Sequence, residues 1–208
     1  MDTTVAKTGA VAGPRTVAPD KPLLRGIHHL ALNTGDMRMT LDFYVRILGM
    51  PIVHGLRTPV ARGAHGTGTP PYAAIPHFFL DMGGDSLLAF FEYPRHAAKA
   101  DRDALGAMQH VSFACGPKLH HEILERLKTH GVEITAGPLV IIPPAITSFY
   151  FFDPNGIRLE IVCDQNSDEA DLDVIRSCRM SAAEMRAQLA GISDDGAWID
   201  QMIAAMSR

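Results

Sequence analysis

The chain has 208 residues, 47% of them hydrophobic and 20% charged, a composition that can fill a core and argues against disorder. Its formal net charge of -4 and pI of about 6.2 leave no basic field to hold a nucleic-acid backbone, so no nucleic-acid partner is expected. Cys115, Cys163 and Cys178 are odd in number and form no Cys-x-x-Cys pair, which argues against both a disulfide framework and a thiolate zinc site. No run reaches the ~18 apolar residues of a membrane helix, and no charged-then-apolar leader opens the chain, so the expectation is a cytoplasmic protein with no membrane partner.

Residues 1–22 carry Pro14 and Pro19 among small residues without a period, and read as a flexible N-terminal arm. From Ile27 to Asn33 the pattern is that of a strand. Asp36 to Leu48 follows as an amphipathic helix stopped by Gly49, and Pro51 to His54 resumes an extended chain. The segment Gly55–Pro76 is dense in glycine and proline and predicts no long regular element. His77–Asp81 and Ser86–Glu92 then read as paired strands around a turn containing Gly83 and Gly84.

The order then repeats. Gln109–Phe113 resembles His28–Leu32, and His110 follows His29 by 81 residues. A helix over Pro117–His130 ends at Gly131, as the first ends at Gly49. Val132–Thr135, Ser148–Phe152 and Arg158–Val162 supply three more strands, with Asp153-Pro154-Asn155-Gly156 as a hairpin turn. Two copies of one β-α-β-β-β unit are a duplicated module rather than a solenoid. The tail differs: Ser181-x-x-Glu184 is a capping box, and Trp198, Ile199, Met202, Ile203 and Met206 form a helical apolar stripe. That stripe is expected to dock on the modules or on a second subunit.

The expected fold class is therefore α+β: two tandem βαβββ modules forming a cupped mixed sheet around a metal site, with a C-terminal helical extension. The expected boundaries are 23–164 for the paired modules (about 23–100 and 105–164) and 165–208 for the extension.

The repeat itself selects metal candidates. His29 and His110 hold the same position on the first strand of each module, so pairing the modules about a local two-fold would let two imidazoles meet. Glu160 lies on the last strand of module two, sharing a face with Arg158 and Val162. A carboxylate in so apolar a strand costs several kcal/mol to bury unpaired, about what a nearby cation can offset. Counting by two from the histidines places Ala31 and Asn33 beside His29, and Ser112 and Ala114 beside His110. Small side chains there leave room for a ring-sized substrate, with Phe91, Phe152 and the long loop as wall and lid.

Gly26–Met50, including Phe43-Tyr44 and Leu48-Gly49, and Phe149–Ile161 (FYFFDPNGIRLEI) resemble the opening and closing motifs of the vicinal oxygen chelate superfamily, which spans glyoxalases, bleomycin-resistance proteins and type I extradiol dioxygenases. The resemblance covers about residues 26–164. It implies His29, His110 and Glu160 as ligands to one divalent metal, most simply Fe(II), with Mn(II) or another divalent ion as the alternative. The module-one position of a fourth ligand falls at Leu88 or Ala89, neither of which can ligate, so a three-ligand site is implied. Glu92, just beyond, reads as a strand-end carboxylate.

Within that family, three ligands with open positions suit an iron(II) extradiol dioxygenase cleaving a catechol-like ring. The resemblance implies His96, 14 residues before His110, as acid–base group, and Tyr150 against a substrate oxygen. One departure opposes it: the oxygen-side histidine of those dioxygenases is missing from Leu139–Pro144, where Ile141 and Ile142 stand. That favours the alternative of a redox-neutral epimerase, lyase or thiol-transferring resistance enzyme. A hydrophobic-drug-binding protein is the third reading, opposed by the intact ligands. A small-molecule substrate and a homodimer or higher homo-oligomer are expected.

Overall fold

The structure, a computed structural model, describes residues 26–59, 74–84, 86–93, 98–142, 146–165 and 180–206. The expected arm over 1–22, His96, the centre of the glycine- and proline-rich segment and Cys178 lie outside the described residues.

Each module builds one four-stranded mixed sheet. Module one contains β1 (His29–Thr34), α1 (Met37–Leu41), β2 (Ile52–Pro59), β3 (Ala74–Asp81) and β4 (Leu87–Glu92). Module two contains β5 (Val111–Ala114), α2 (Pro117–Thr129), β6 (Ile134–Ile142), β7 (Ile146–Phe152) and β8 (Arg158–Asp164). The strand orders are β1-β4-β3-β2 and β5-β8-β7-β6, with the first and last strand of each module parallel and the other pairs antiparallel. The repeat thus carries through to hydrogen-bond register.

The strands obey the alternation of a half-buried sheet. In β1, Leu32 and Thr34 are buried while His29, Ala31 and Asn33 are exposed. The inward faces of both sheets meet the helices in a shared core of Leu32, Phe43, Leu80, Leu88 and Phe90 from module one and Leu124, Leu127, Phe149, Phe151 and Leu159 from module two. Each large apolar side chain so placed contributes roughly 1.5–3 kcal/mol. Cys115 and Cys163 are buried free thiols, and burial together with the nearby Cys163 pushes the Cys115 thiol up to about 12. Both behave as small core residues.

Asp36 caps α1 by accepting the Met39 amide at 3.0 Å, and the helix widens to a π-helix over Asp42–Ile47, turning Phe43 and Tyr44 into the core. Gly49 and Gly131 end the two module helices at φ 77° and 72°, the left-handed conformation that glycine adopts without a Cβ clash.

β2, β3 and β6 are longer than the sequence predicts. β2 runs on to Pro59 and β3 begins at Ala74, so regular strands enter the segment expected to be irregular from both ends. Pro76 is tolerated because β4 pairs with β3 only from His77 onward, so its missing amide removes no bond from that ladder. β6 likewise continues from Thr135 to Ile142 alongside β7, with shifts of register that absorb the Gly137-Pro138 step.

The modules are joined within the chain by a buried polar cluster. Tyr44 Oη donates to Asp153 Oδ2 at 3.1 Å, and Thr34 Oγ1 donates to Asn155 Oδ1 at 2.8 Å. Asn155 Nδ2 donates to Thr40 Oγ1 at 3.1 Å and to Asp153 Oδ2 at 3.0 Å. The Asp153 turn of module two is thereby locked onto the helix of module one. Burial raises the pKa of both Tyr44 and Asp153, so this pair favours a neutral phenol donating to the carboxyl.

The C-terminal residues form a second unit of α3 (Ala182–Ala190) and α4 (Gly196–Ala204). The capping box is present: Ser181 Oγ accepts the Glu184 amide while Glu184 Oε2 accepts the Ser181 amide. Asp195 caps α4, Arg186 and Asp200 join the helices at 2.5 Å, and Ile199 is the buried member of the apolar stripe. Among the described residues no helix is long and apolar enough to cross a membrane.

Candidate metal centre

Module two supplies a polar constellation on the sheet face away from α2. β5, β8 and β7 lie side by side, with Ser112, Glu160 and Tyr150 in one cross-strand row. His110 stands one residue before β5. Its Nε2 lies 3.0 Å from Glu160 Oε2, and Tyr150 Oη donates to Glu160 Oε1 at 2.6 Å. Gln109 Oε1 contacts the other ring nitrogen of His110, which orients the imidazole.

Glu160 is only 4% exposed, an unusual place for a carboxylate. Burial alone would raise its pKa. The hydroxyls of Tyr150, Ser148 and Ser112 and the charge of His110 outweigh that and hold it below the ordinary glutamate value. Ser148 is fully buried on β7 two residues from Tyr150, close enough to bias both neighbours, although its Oγ meets no partner at ordinary hydrogen-bond geometry. Sequence reasoning missed Ser148. Its signal was available, since it shares the Tyr150 face of β7 by period two. The phenol of Tyr150 is itself raised, by burial first and then by its bond to Glu160.

His29 is not part of this group. Its Nδ1 lies 2.8 Å from His28 Nδ1, and its ring meets Phe79 edge-on at 5.6 Å, both within module one. His28 precedes β1, so its ring swings onto His29 rather than keeping to the opposite face of the strand. Among the described residues no three His, Cys, Asp or Glu side chains gather closely enough to hold a metal. His110 and Glu160 are a nitrogen and an oxygen donor on one face, which fits one edge of a divalent site, and no third donor joins them among the described residues.

The register settles the symmetric position in module one. Ala31 pairs with Ala89, as Ser112 pairs with Glu160, so Ala89 rather than Leu88 is the counterpart of Glu160. Phe79 is likewise the counterpart of Tyr150, because each pairs with that position from the third strand. Glu92 accepts the Met37 amide at 2.7 Å at the start of α1, a structural task away from the His110–Glu160 pair. Of the residues expected to line a pocket, Ala31, Asn33 and Phe91 share the His29 face of module one. Ser112, Ala114 and Phe152 share the Glu160 face of module two.

Residues 26–161 match the sequence profile of the Glyoxalase/Bleomycin resistance protein/Dioxygenase superfamily. The chain belongs to that superfamily. An uncharacterized protein of Bacillus subtilis, YwkD, is 24% identical over 140 residues, spanning 67% of this chain and 97% of its own. A glyoxalase/dioxygenase from Nostoc punctiforme shares the fold with a TM-score of 0.54 at 24% identity, over 74% of this chain and 99% of its own. The fosfomycin resistance protein FosX of Listeria monocytogenes, solved with Mn(II) and 1S,2S-dihydroxypropylphosphonic acid, superposes with a TM-score of 0.50 at 16% identity, over 76% of this chain and 100% of its own. These superfamily structures share the two-module α+β architecture, and the superfamily includes metal-dependent enzymes.

Proposed function

We propose that the protein is a metal-dependent enzyme whose site is shared between two copies of the chain, with His110 and Glu160 from one subunit and His29 from the other. The observation that carries this reading is the His110–Glu160–Tyr150 constellation: a buried carboxylate held ionised against its burial, facing an imidazole, with no third donor beside them among the described residues. β1 and β5 are both sheet edges in the chain, so a second copy can bring its β1 beside β5. The exposed side chains of Ile52 and Val53 on β2 and of Leu139 and Val140 on β6 are apolar surface that such an assembly can cover.

A divalent ion bound there supplies Lewis-acid polarisation of a substrate oxygen and open positions for further ligands. The chain's own residues orient and titrate. Ser112 and Ser148 favour the ionised form of Glu160, and Tyr150 presents a phenolic proton beside it. His96, which lies outside the described residues, keeps its proposed acid–base role. Ala31, Asn33, Phe91, Ser112, Ala114 and Phe152 form the substrate walls.

The reading of extradiol ring cleavage with Fe(II) is favoured by the register that puts Ala89 at the symmetric ligand position, which leaves three protein ligands. A redox-neutral reaction with Mn(II) or a similar ion is favoured by Ile141, on β6 where a dioxygenase would carry its oxygen-side histidine. Oxygen uptake by iron(II)-loaded protein with a catechol panel separates them.

Shared sites have a specific test. His29→Ala and Glu160→Gln should each lose metal by elemental analysis while keeping the fold by circular dichroism. Mixing the two unfolded variants and refolding them together should restore part of the metal, because a mixed dimer has one intact site. No recovery on mixing would overturn sharing, and full occupancy in Glu160→Gln would overturn the site.

A further inference from the structure

Beside the His110–Glu160 pair lies a second cluster that the metal reading does not use. Phe152 ends β7 on the same face as Tyr150 and Ser148, and pairs across with Arg158 of β8. Arg158 in turn lies two residues before Glu160, on the same face of β8. The Arg158 guanidinium carbon is 5.7 Å from the centre of the Phe152 ring. Arg102, from the connection between the modules, places its guanidinium over the same ring at 4.4 Å. Arg102 Nη1 also donates to the Gly156 carbonyl at 3.4 Å, which ties this loop to the β7–β8 turn.

Two cations therefore share one aromatic ring. Among the described residues neither has a carboxylate within ion-pair distance. Asp101 and Asp103 flank Arg102 in sequence, and Asp101 Oδ1 accepts the Asp103 amide at 3.0 Å. The ring contributes about 0.5–1 kcal/mol per cation at such an exposed position, but it satisfies none of the forked N–H donors. The one buried carboxylate on this face, Glu160, is already committed to Tyr150 and His110. Module one has no equivalent: Leu87 and Asp81 occupy the positions of Arg158 and Phe152.

We infer that Arg102 and Arg158 form an oxyanion-binding site next to the metal centre, and that the substrate carries a carboxylate or phosphonate that docks there. Both guanidinium carbons lie near the Phe152 ring centre, at 4.4 and 5.7 Å, so an oxyanion accepting from both forks would neutralise the repulsion between them. With a divalent ion at His110–Glu160 the face carries excess positive charge, which favours an anionic substrate over a neutral one. This assignment of substrate class rests on the proposed enzymatic reading, whereas the anion site itself does not require the metal.

The test uses the full-length protein stripped of metal with a chelator, so that no probe can bind through an ion. Benzoate and phenylphosphonate are titrated calorimetrically, with benzyl alcohol as the uncharged probe. Both anions should bind, and more weakly at high salt. Arg158→Gln and Arg102→Gln should each weaken binding by about tenfold or more, the worth of one charge-assisted contact. Lys118→Gln, on the exposed face of α2, should leave binding unchanged. A stronger response to benzoate than to phenylphosphonate assigns a carboxylate, and the reverse assigns a phosphonate. Failure of wild type to bind either anion, or affinities that ignore both arginine substitutions, overturns the site. Arginine-dependent binding in a protein that takes up no metal would keep the anion site and remove the enzymatic reading.

Discussion

Module one and module two have the same strand order, the same parallel first-to-last pairing and the same glycine at the end of the helix, yet their outer faces carry different chemistry. Where module two sets Ser112, Glu160 and Tyr150 in a row, module one sets Ala31, Ala89 and Phe79. Where module two has Ser148, module one has His77 stacked on Phe91 with ring centres 3.6 Å apart. The backbone of the repeat does not require either set, since only the helix-facing residues fill the core. Duplication supplies two equivalent scaffolds, and side chains on the face that the core does not use are free to diverge.

The strongest way to break that comparison is to give module one the residue it lacks. Ala89 is fully buried, and its neighbours Ala31 and Phe79 offer no hydroxyl. Ala89→Glu should therefore cost about 3–5 kcal/mol in urea denaturation, the penalty of an uncompensated buried charge, without creating a second metal site. A variant of near wild-type stability would show that hydroxyl support is not what makes Glu160 tolerable.

A smaller effect is expected at the joint between the modules. Tyr44→Phe removes the phenol that binds Asp153 but leaves that carboxylate the amides of Asn155 and Ile157, at 2.9 and 2.8 Å. Stability should fall by about 1–3 kcal/mol, with the metal content per folded chain unchanged. Glu92→Gln tests the other last strand. It weakens the contact with the Met37 amide by about 0.3–1 kcal/mol and should leave the metal content as it was. Loss of metal there would place the ligand carboxylate in module one and overturn the register assignment.

The smallest change at neutral pH concerns His120, buried on α2 against Phe149. Burial, then the neighbouring His121, lowers its pKa below the ordinary 6.5. The unfolded chain therefore takes up the proton first. The stability due to neutral His120 is complete above the unfolded value and is lost as pH falls through the folded one. His120→Leu should flatten the fall in melting temperature on the acid side of about 6.5, and an unchanged slope would assign it to other histidines.

Much of this was legible in one dimension. Period-two alternation separates His29, Ala31 and Asn33 from Leu32, and the 81-residue echo from His29 to His110 reveals the duplication. The Ser181 capping box and the glycines after both helices are local signals, and they appear where local chemistry predicts them. The strand extensions of β2 and β6 were hidden because proline and glycine density is a local penalty that pairing with a neighbouring strand can outweigh.

What residue spacing by itself determined is which side chains share a face: Glu160 with Arg158, His110 with Ser112, and His29 with Ala31. What only the tertiary structure decided is which faces and edges meet. It brought His110 to Glu160 but left His29 with Phe79, put Ala89 opposite Ala31, and carried Arg102 from a connecting loop onto Phe152. Alternation is set by the pleat of a single strand and can be counted along the chain. Register, edge pairing and loop placement arise from packing between segments far apart in sequence, and no count along the chain contains them.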